Sequence, residues 1–178
     1  MNSKIFDNIS IRGRIAYVIL CFENYIKVKY SNVDMQPVLK KMWSVVDSSD
    51  YIDNSAYRYL EIVPECLFEK DHYSSDVFEK LTEDEYDRFT KLLNADDTDL
   101  NAIMMSVYDI AMEYAYTNIT DHGKETYEYL DRVIGILKEN NIPLPEIDRV
   151  SMSKFSESDG WGHCLNPNNI SVMLNNRC

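Results

Sequence analysis

Apolar side chains recur at helical spacing along most of this chain, and that pattern limits the fold more than any other feature. Ile11, Ile15, Val18, Phe22 and Tyr25 step by four and three residues, which puts one stripe on one helix face. Met35, Val38, Leu39, Met42, Val45 and Val46 repeat the pattern. Asp34 is placed to cap that helix, and Pro37 falls in its first turn, where a missing N–H costs little. The spacing predicts a third helix over Asp53–Val63, ended by Pro64. Thr82-Glu83-Asp84-Glu85 has capping-box spacing ahead of Tyr86, Phe89, Leu92 and Leu93. The clearest stripe lies in Leu100–Tyr116, on Leu100, Ile103, Met104, Val107, Ala111 and Tyr114. Tyr127, Leu130, Ile134 and Leu137 mark the last long helix, which stops at Asn140-Asn141 before Pro143 and Pro145.

From Leu144 onward Pro, Ser, Asn and Gly become frequent, and helical spacing returns only at Ile170–Leu174. A tail carrying Phe155, Trp161, Ile170 and Leu174 is expected to lie back across the helices. Internal repeats are not evident. The expected fold is all-α: a single-domain array of about six helices with a docked, irregular C-terminal segment. Residues 1–143 form the helical domain and 144–178 the segment packed on it. A length of 178 residues suits one domain, and 45% hydrophobic residues are too many for disorder.

Charge narrows the function classes. The net charge of −12 disfavours a nucleic-acid binder that neutralises phosphates, and equally a protein held on anionic lipid. Residues 1–41 hold seven basic and three acidic side chains, whereas Asp47–Asp99 holds sixteen acids and five bases, a net of −11. Such a window is commonly a solvated surface. It also suits docking to a basic partner, because opposed potentials speed encounter and suppress wrong partners. Asp84, Glu85, Asp87, Asp96, Asp97 and Asp99 are the expected steering residues.

The four cysteines, Cys21, Cys66, Cys164 and Cys178, are too sparse for a disulfide framework and suit a reducing compartment. The apolar run Ile15–Phe22 follows Arg12 and Arg14 as a secretory signal would. Glu23 closes it, however, no small-residue cleavage site follows, and its period continues through Tyr25 and Ile26. A cytoplasmic protein without a membrane span is expected. Asp97-x-Asp99-x-Asn101 begins like a calcium loop but has Ala102 where Gly is needed and Tyr108 where a bidentate Glu belongs, so helix capping is the better reading. Glu125, Glu128 and Asp131, with Asp109 and Glu113, could hold magnesium in an all-α nucleotide hydrolase. The helical wheel instead turns these acids away from the apolar stripes, into water and apart from one another. Neither His72, His122 and His163 nor the adjacent His163-Cys164 compose a nucleophile–base pair. No catalytic residue, metal or cofactor is expected.

The most distinctive stretch is Phe155-Ser156-Glu157-Ser158-Asp159-Gly160-Trp161-Gly162, where two glycines flanking Trp161 permit a tight turn. The indole either pins the tail to the helices, its N–H on a carbonyl, or anchors a partner. A small, acidic, mostly helical chain ending in this Ser-Glu-Ser-Asp-Gly-Trp-Gly stretch resembles the immunity proteins of bacterial polymorphic toxin systems. The match covers Phe155–Cys164, and the remainder is similar in class and charge. The resemblance implies a cytoplasmic, non-enzymatic inhibitor that binds the toxic domain of a cognate toxin, often a basic nuclease, and blocks its active site. The partner is then a protein, not nucleic acid or membrane, met by the six acids above and Trp161. The basic group Lys27, Lys29, Lys40 and Lys41 departs from a uniformly acidic inhibitor, and leaves open a toxin of another kind or a self-pairing dimer. The alternatives are the magnesium hydrolase and a helical interaction module without a toxin partner.

Overall fold

The longest helix, α1 (Ile11–Lys29), is buried around nearly its whole circumference up to Ile26, and the fold is built to cover it. A helix of that kind belongs inside a protein. From Ile11 to Ile26 only Arg12 and Asn24 keep appreciable exposure. The single stripe expected from spacing is therefore too narrow: Ala16, Tyr17, Ile19, Leu20 and Cys21 lie off it and are buried as well. Ser10 starts the helix, its hydroxyl accepting from the Gly13 N–H at 3.1 Å.

The structure, a computed structural model, describes residues 3–48 and 51–174. After α1 come α2 (Gln36–Asp47), α3 (Ile52–Leu60), α4 (Pro64–Leu67), α5 (Glu83–Leu92), α6 (Thr98–Met112), α7 (Tyr127–Glu139) and α8 (Pro167–Ile170). Among the described residues there is no strand, only an isolated antiparallel bridge between Ile9 and Lys154. The fold is all-α, six helices of nine residues or more and two of four residues. Both short helices open on a proline, Pro64 and Pro167, whose missing N–H is harmless at a first turn. This is why the third helix ends at Leu60 and not at Val63: Val63 precedes proline and is extended. Asp34 accepts from the Gln36 N–H at 3.1 Å, one residue outside the cap, which is Met35. No helix among the described residues is long and apolar enough to cross a membrane.

α6 runs antiparallel to α1, and α7 runs parallel to it. Tyr25, late in α1, donates to Asp97 at the start of α6, whereas Arg14, early in α1, reaches Thr126 just before α7 at 2.9 Å. Asn24 meets the Pro143 carbonyl beyond the end of α7 at 2.8 Å. α3 lies on α6, with the Tyr59 hydroxyl on the Met104 carbonyl at 2.7 Å.

The tail docks along α1 and α2. Its contacts include Ser10 N–H to the Ser153 carbonyl at 2.9 Å, Arg12 N–H to the Trp161 carbonyl at 3.2 Å, and Leu165 N–H to the Val46 carbonyl at 2.9 Å. Gly162 has φ +71°, and a Cβ there would come 2.3 Å from Ser10 Oγ, so both backbone and space require glycine. Two fully buried charges on α1 organise the irregular segments. Arg14 donates to the carbonyls of Ile9, Phe6, Gly123 and His122 and to the Thr126 hydroxyl, at 2.6–3.0 Å. Glu23 accepts from the Trp43 indole N–H at 2.9 Å, the Val172 N–H at 2.8 Å and the Ser171 hydroxyl.

Candidate functional site

The six acids expected to steer a partner divide into two groups. Glu85 belongs to the scaffold. Its carboxylate accepts from the Thr82 N–H at 3.2 Å while the Thr82 hydroxyl accepts from the Glu85 N–H at 3.3 Å, which completes the capping box of α5. The other oxygen meets Lys41 of α2 at 2.8 Å. Burial raises the Glu85 carboxyl, but the Lys41 contact and the Thr82 bonds outweigh it and hold the group below its ordinary value. Asp97 caps α6 through the Leu100 N–H at 2.9 Å and also takes the hydroxyls of Tyr25 and Tyr30, each at 2.8 Å. Burial, then hydrogen bonding to this carboxylate, pushes both phenols up, so they stay protonated donors. Asp99 accepts from the Asn140 amide at 2.9 Å. Asp84, Asp87 and Asp96 are exposed, and among the described residues their carboxylates have no ion pair.

Trp161 stands apart from these acids. Its carbonyl binds the first turn of α1, whereas Asp97 binds Tyr25 thirteen residues further on, about 20 Å along the helix. The indole is half-buried in the wall of a cleft of about 560 Å³, together with Arg12, Tyr51, Ile52, Asp53 and Ser158. The turn that carries it holds Ser158 at φ 48°, Asp159 at 53°, Gly160 at 92° and Gly162 at 71°. Two consecutive non-glycine residues lie in the left-handed region, in a turn closed by the Gly160 and Gly162 N–H groups on the Glu157 carbonyl and the Trp161 N–H on the Ser158 carbonyl. The tail is pinned here by the main chain of Trp161. The tryptophan whose indole N–H is satisfied in the interior is Trp43, which the spacing analysis passed over. Arg12, Tyr51 and Asp53 were missed as cleft residues, because nothing local in the sequence links them to a turn over 100 residues away.

Three of the five magnesium candidates are each taken by a separate partner. Asp109 meets Arg132 at 3.3 Å, Glu113 accepts from the Tyr129 hydroxyl at 2.9 Å, and Glu125 accepts from the Tyr114 hydroxyl. Asp109 and Glu113 were expected in water but lie half-buried in the seam between α6 and α7. Burial raises the Asp109 carboxyl and Arg132 opposes the shift. Glu128 and Asp131 are exposed. In the calcium-like stretch, Asn101 accepts from the Glu65 N–H at 3.0 Å while Asp97 and Asp99 make the bonds above. Among the described residues no three His, Cys, Asp or Glu side chains are grouped to hold a metal ion. Cys21 is buried and Cys164 is exposed; Cys178 lies outside the described residues.

Comparison with family models, curated proteins and solved structures finds no match to this chain.

Proposed function

We propose that this chain is an immunity-type inhibitor that binds and neutralises a cognate bacterial toxin domain in the cytoplasm, through an acidic surface and without catalysis of its own. The observation that carries this reading is the freedom of Asp84, Asp87 and Asp96, exposed and unpaired within a window of net −11. Glu85, Asp97 and Asp99 belong to the same acidic window while holding the scaffold. A standard interface covers about 800 Å² per partner, under a tenth of the 9083 Å² surface here. A basic nuclease domain suits such a surface, since carboxylates can occupy a groove meant for phosphate.

The test is co-expression with the C-terminal domain of whatever large gene lies directly upstream. The expected result is rescue of growth and co-purification of a complex. Changing Asp84, Asp87 and Asp96 together to Lys should slow association about tenfold or more at low salt and flatten its salt dependence. Continued killing with no complex at low salt would overturn the reading. Unchanged association of the triple variant would remove the acidic surface from it.

A further inference from the structure

Two arginines stand two residues apart at the start of α1 and differ in how fully they are used. Arg14 is buried, and its five N–H donors meet five acceptors. Arg12 faces the 560 Å³ cleft, and its side chain makes one contact, Nη1 to the Gly162 carbonyl at 3.3 Å. Its Nε is buried and has no hydrogen-bond partner among the described residues. Orphaned buried donors are rare, and the guanidinium of this partly exposed residue keeps N–H groups that an acceptor entering the cleft can meet. The neighbouring carboxylate does not supply it: Asp53 is held by the Asn54 N–H at 2.8 Å and the Tyr116 hydroxyl at 3.2 Å.

We propose that this cleft is a binding site for a carboxylate carried on a flat apolar body, with the acid on Arg12 and the body against Trp161. The planar guanidinium fork matches a carboxylate better than any other common acceptor. Trp161 and Tyr51 supply aromatic surface and Ile52 an apolar wall, and the volume falls in the range of small-ligand pockets. The N-terminus of a 19-residue helix adds positive potential beneath Arg12. Main-chain bonds tie Trp161 to Arg12 at 3.2 Å and to Ser158 at 3.0 Å, so the two cleft residues Arg12 and Trp161 are held side by side. The site lies at the opposite end of α1 from Asp97 and holds whether or not a toxin binds the acidic surface.

The test uses the full chain labelled with nitrogen-15, titrated with phenylacetate and, as a neutral control, phenylacetamide. Two indole N–H signals serve as reporters, Trp161 in the cleft and Trp43 in the interior. Phenylacetate is expected to move the Trp161 signal and leave Trp43 in place. The amide and the Arg12→Gln variant should each weaken binding about ten- to a hundredfold. A short peptide ending in Phe, with free or amidated C-terminus, separates the two sources of the group: tighter binding of the free peptide than of phenylacetate marks a protein chain end, the reverse a small acid. Equal binding of acid and amide, or a Trp161 signal unmoved to about 10 mM, the weak end of specific affinity, would overturn the proposal. Should Arg12→Gln disturb the Trp43 signal, the acid–amide comparison on the unaltered chain decides alone.

Discussion

Arg14 and Glu23 solve the same problem at two places on one helix. Both are fully buried on α1, nine residues apart and therefore on opposite faces, and neither makes an ion pair with the other. Arg14 gathers carbonyl oxygens from two irregular segments, residues 6–9 and 122–123, together with the Thr126 hydroxyl. It also lies over the rings of Tyr127 and Phe155, at 5.1 and 5.5 Å from their centroids. Glu23 gathers three donors, from Trp43 and from Ser171 and Val172 of the tail. The cation thus holds the segment leading into α1 and the turn between α6 and α7, and the anion holds a tail segment beyond α8 that none of the long helices depends on. A buried charge here replaces water for backbone groups that secondary structure leaves unpaired.

The comparison predicts unequal consequences. Arg14→Met keeps the bulk of the stem but removes five charge-assisted hydrogen bonds. The Phe6 carbonyl keeps the Ile9 N–H and the Gly123 carbonyl the Thr126 hydroxyl, while the carbonyls of Ile9 and His122 lose the guanidinium. The change should therefore cost about 3–5 kcal/mol of global stability. Against a typical total of about 5–15 kcal/mol this can unfold the chain at moderate temperature. Chemical denaturation measures it, with Arg14→Lys, which keeps the charge but has fewer donors, falling between. A loss below about 1 kcal/mol, the worth of one ordinary hydrogen bond, would mean the loops do not depend on the guanidinium.

Glu23→Gln should do less, about 1–3 kcal/mol, because only one of three bonds is turned from acceptor to donor. The amide oxygen can still receive Trp43 and Ser171, but its NH2 then faces the Val172 N–H. The expected signature is local: hydrogen exchange and proteolysis rise around Ser171–Leu174 before the helices are affected. A variant that unfolds as a whole, as readily as Arg14→Met, would erase the distinction between the two charges.

Local rules were legible in the sequence, and these two charges were not. The Thr82–Glu85 box, the Asp97 cap and the stop at Asn140 depend on residues within a turn of one another, and each stands where spacing put it. The uninterrupted run Ile15–Phe22 held the sign that α1 is buried all round, though a one-stripe wheel hides it. Arg14 and Glu23 fall where periodicity assigns charge to water. Their partners lie up to 112 and 149 residues away and are mainly backbone groups, which carry no side-chain signature. The same limit applies to the candidate sites. Glu85 and Asp97 were named as steering acids although their capping roles were readable nearby, and Trp161 was named without the Arg12 and Tyr51 that share its cleft.

The capping box of α5 sharpens the comparison from outside the core, because it makes charge-assisted bonds of similar length in contact with solvent. Lys41 and Glu85 keep 32% and 35% of their side-chain surface exposed. Water competes for such bonds and salt screens them, so Thr82→Ala should cost only about 1 kcal/mol. Glu85→Gln should cost less still, and its deficit should depend on pH with a definite sign. The folded carboxyl sits below its ordinary value, so its contribution is fully present above the ordinary carboxylate range and fades as pH falls through the folded value. Denaturation of the unaltered chain and Glu85→Gln should therefore diverge at neutral pH and converge in acid, with high salt narrowing the gap at neutral pH. If Thr82→Ala instead cost more than Glu23→Gln, burial would not be what gives the charges on α1 their weight. The tail would then be held by the packing of Leu165 and Ile170, with Glu23 merely tolerated beneath it.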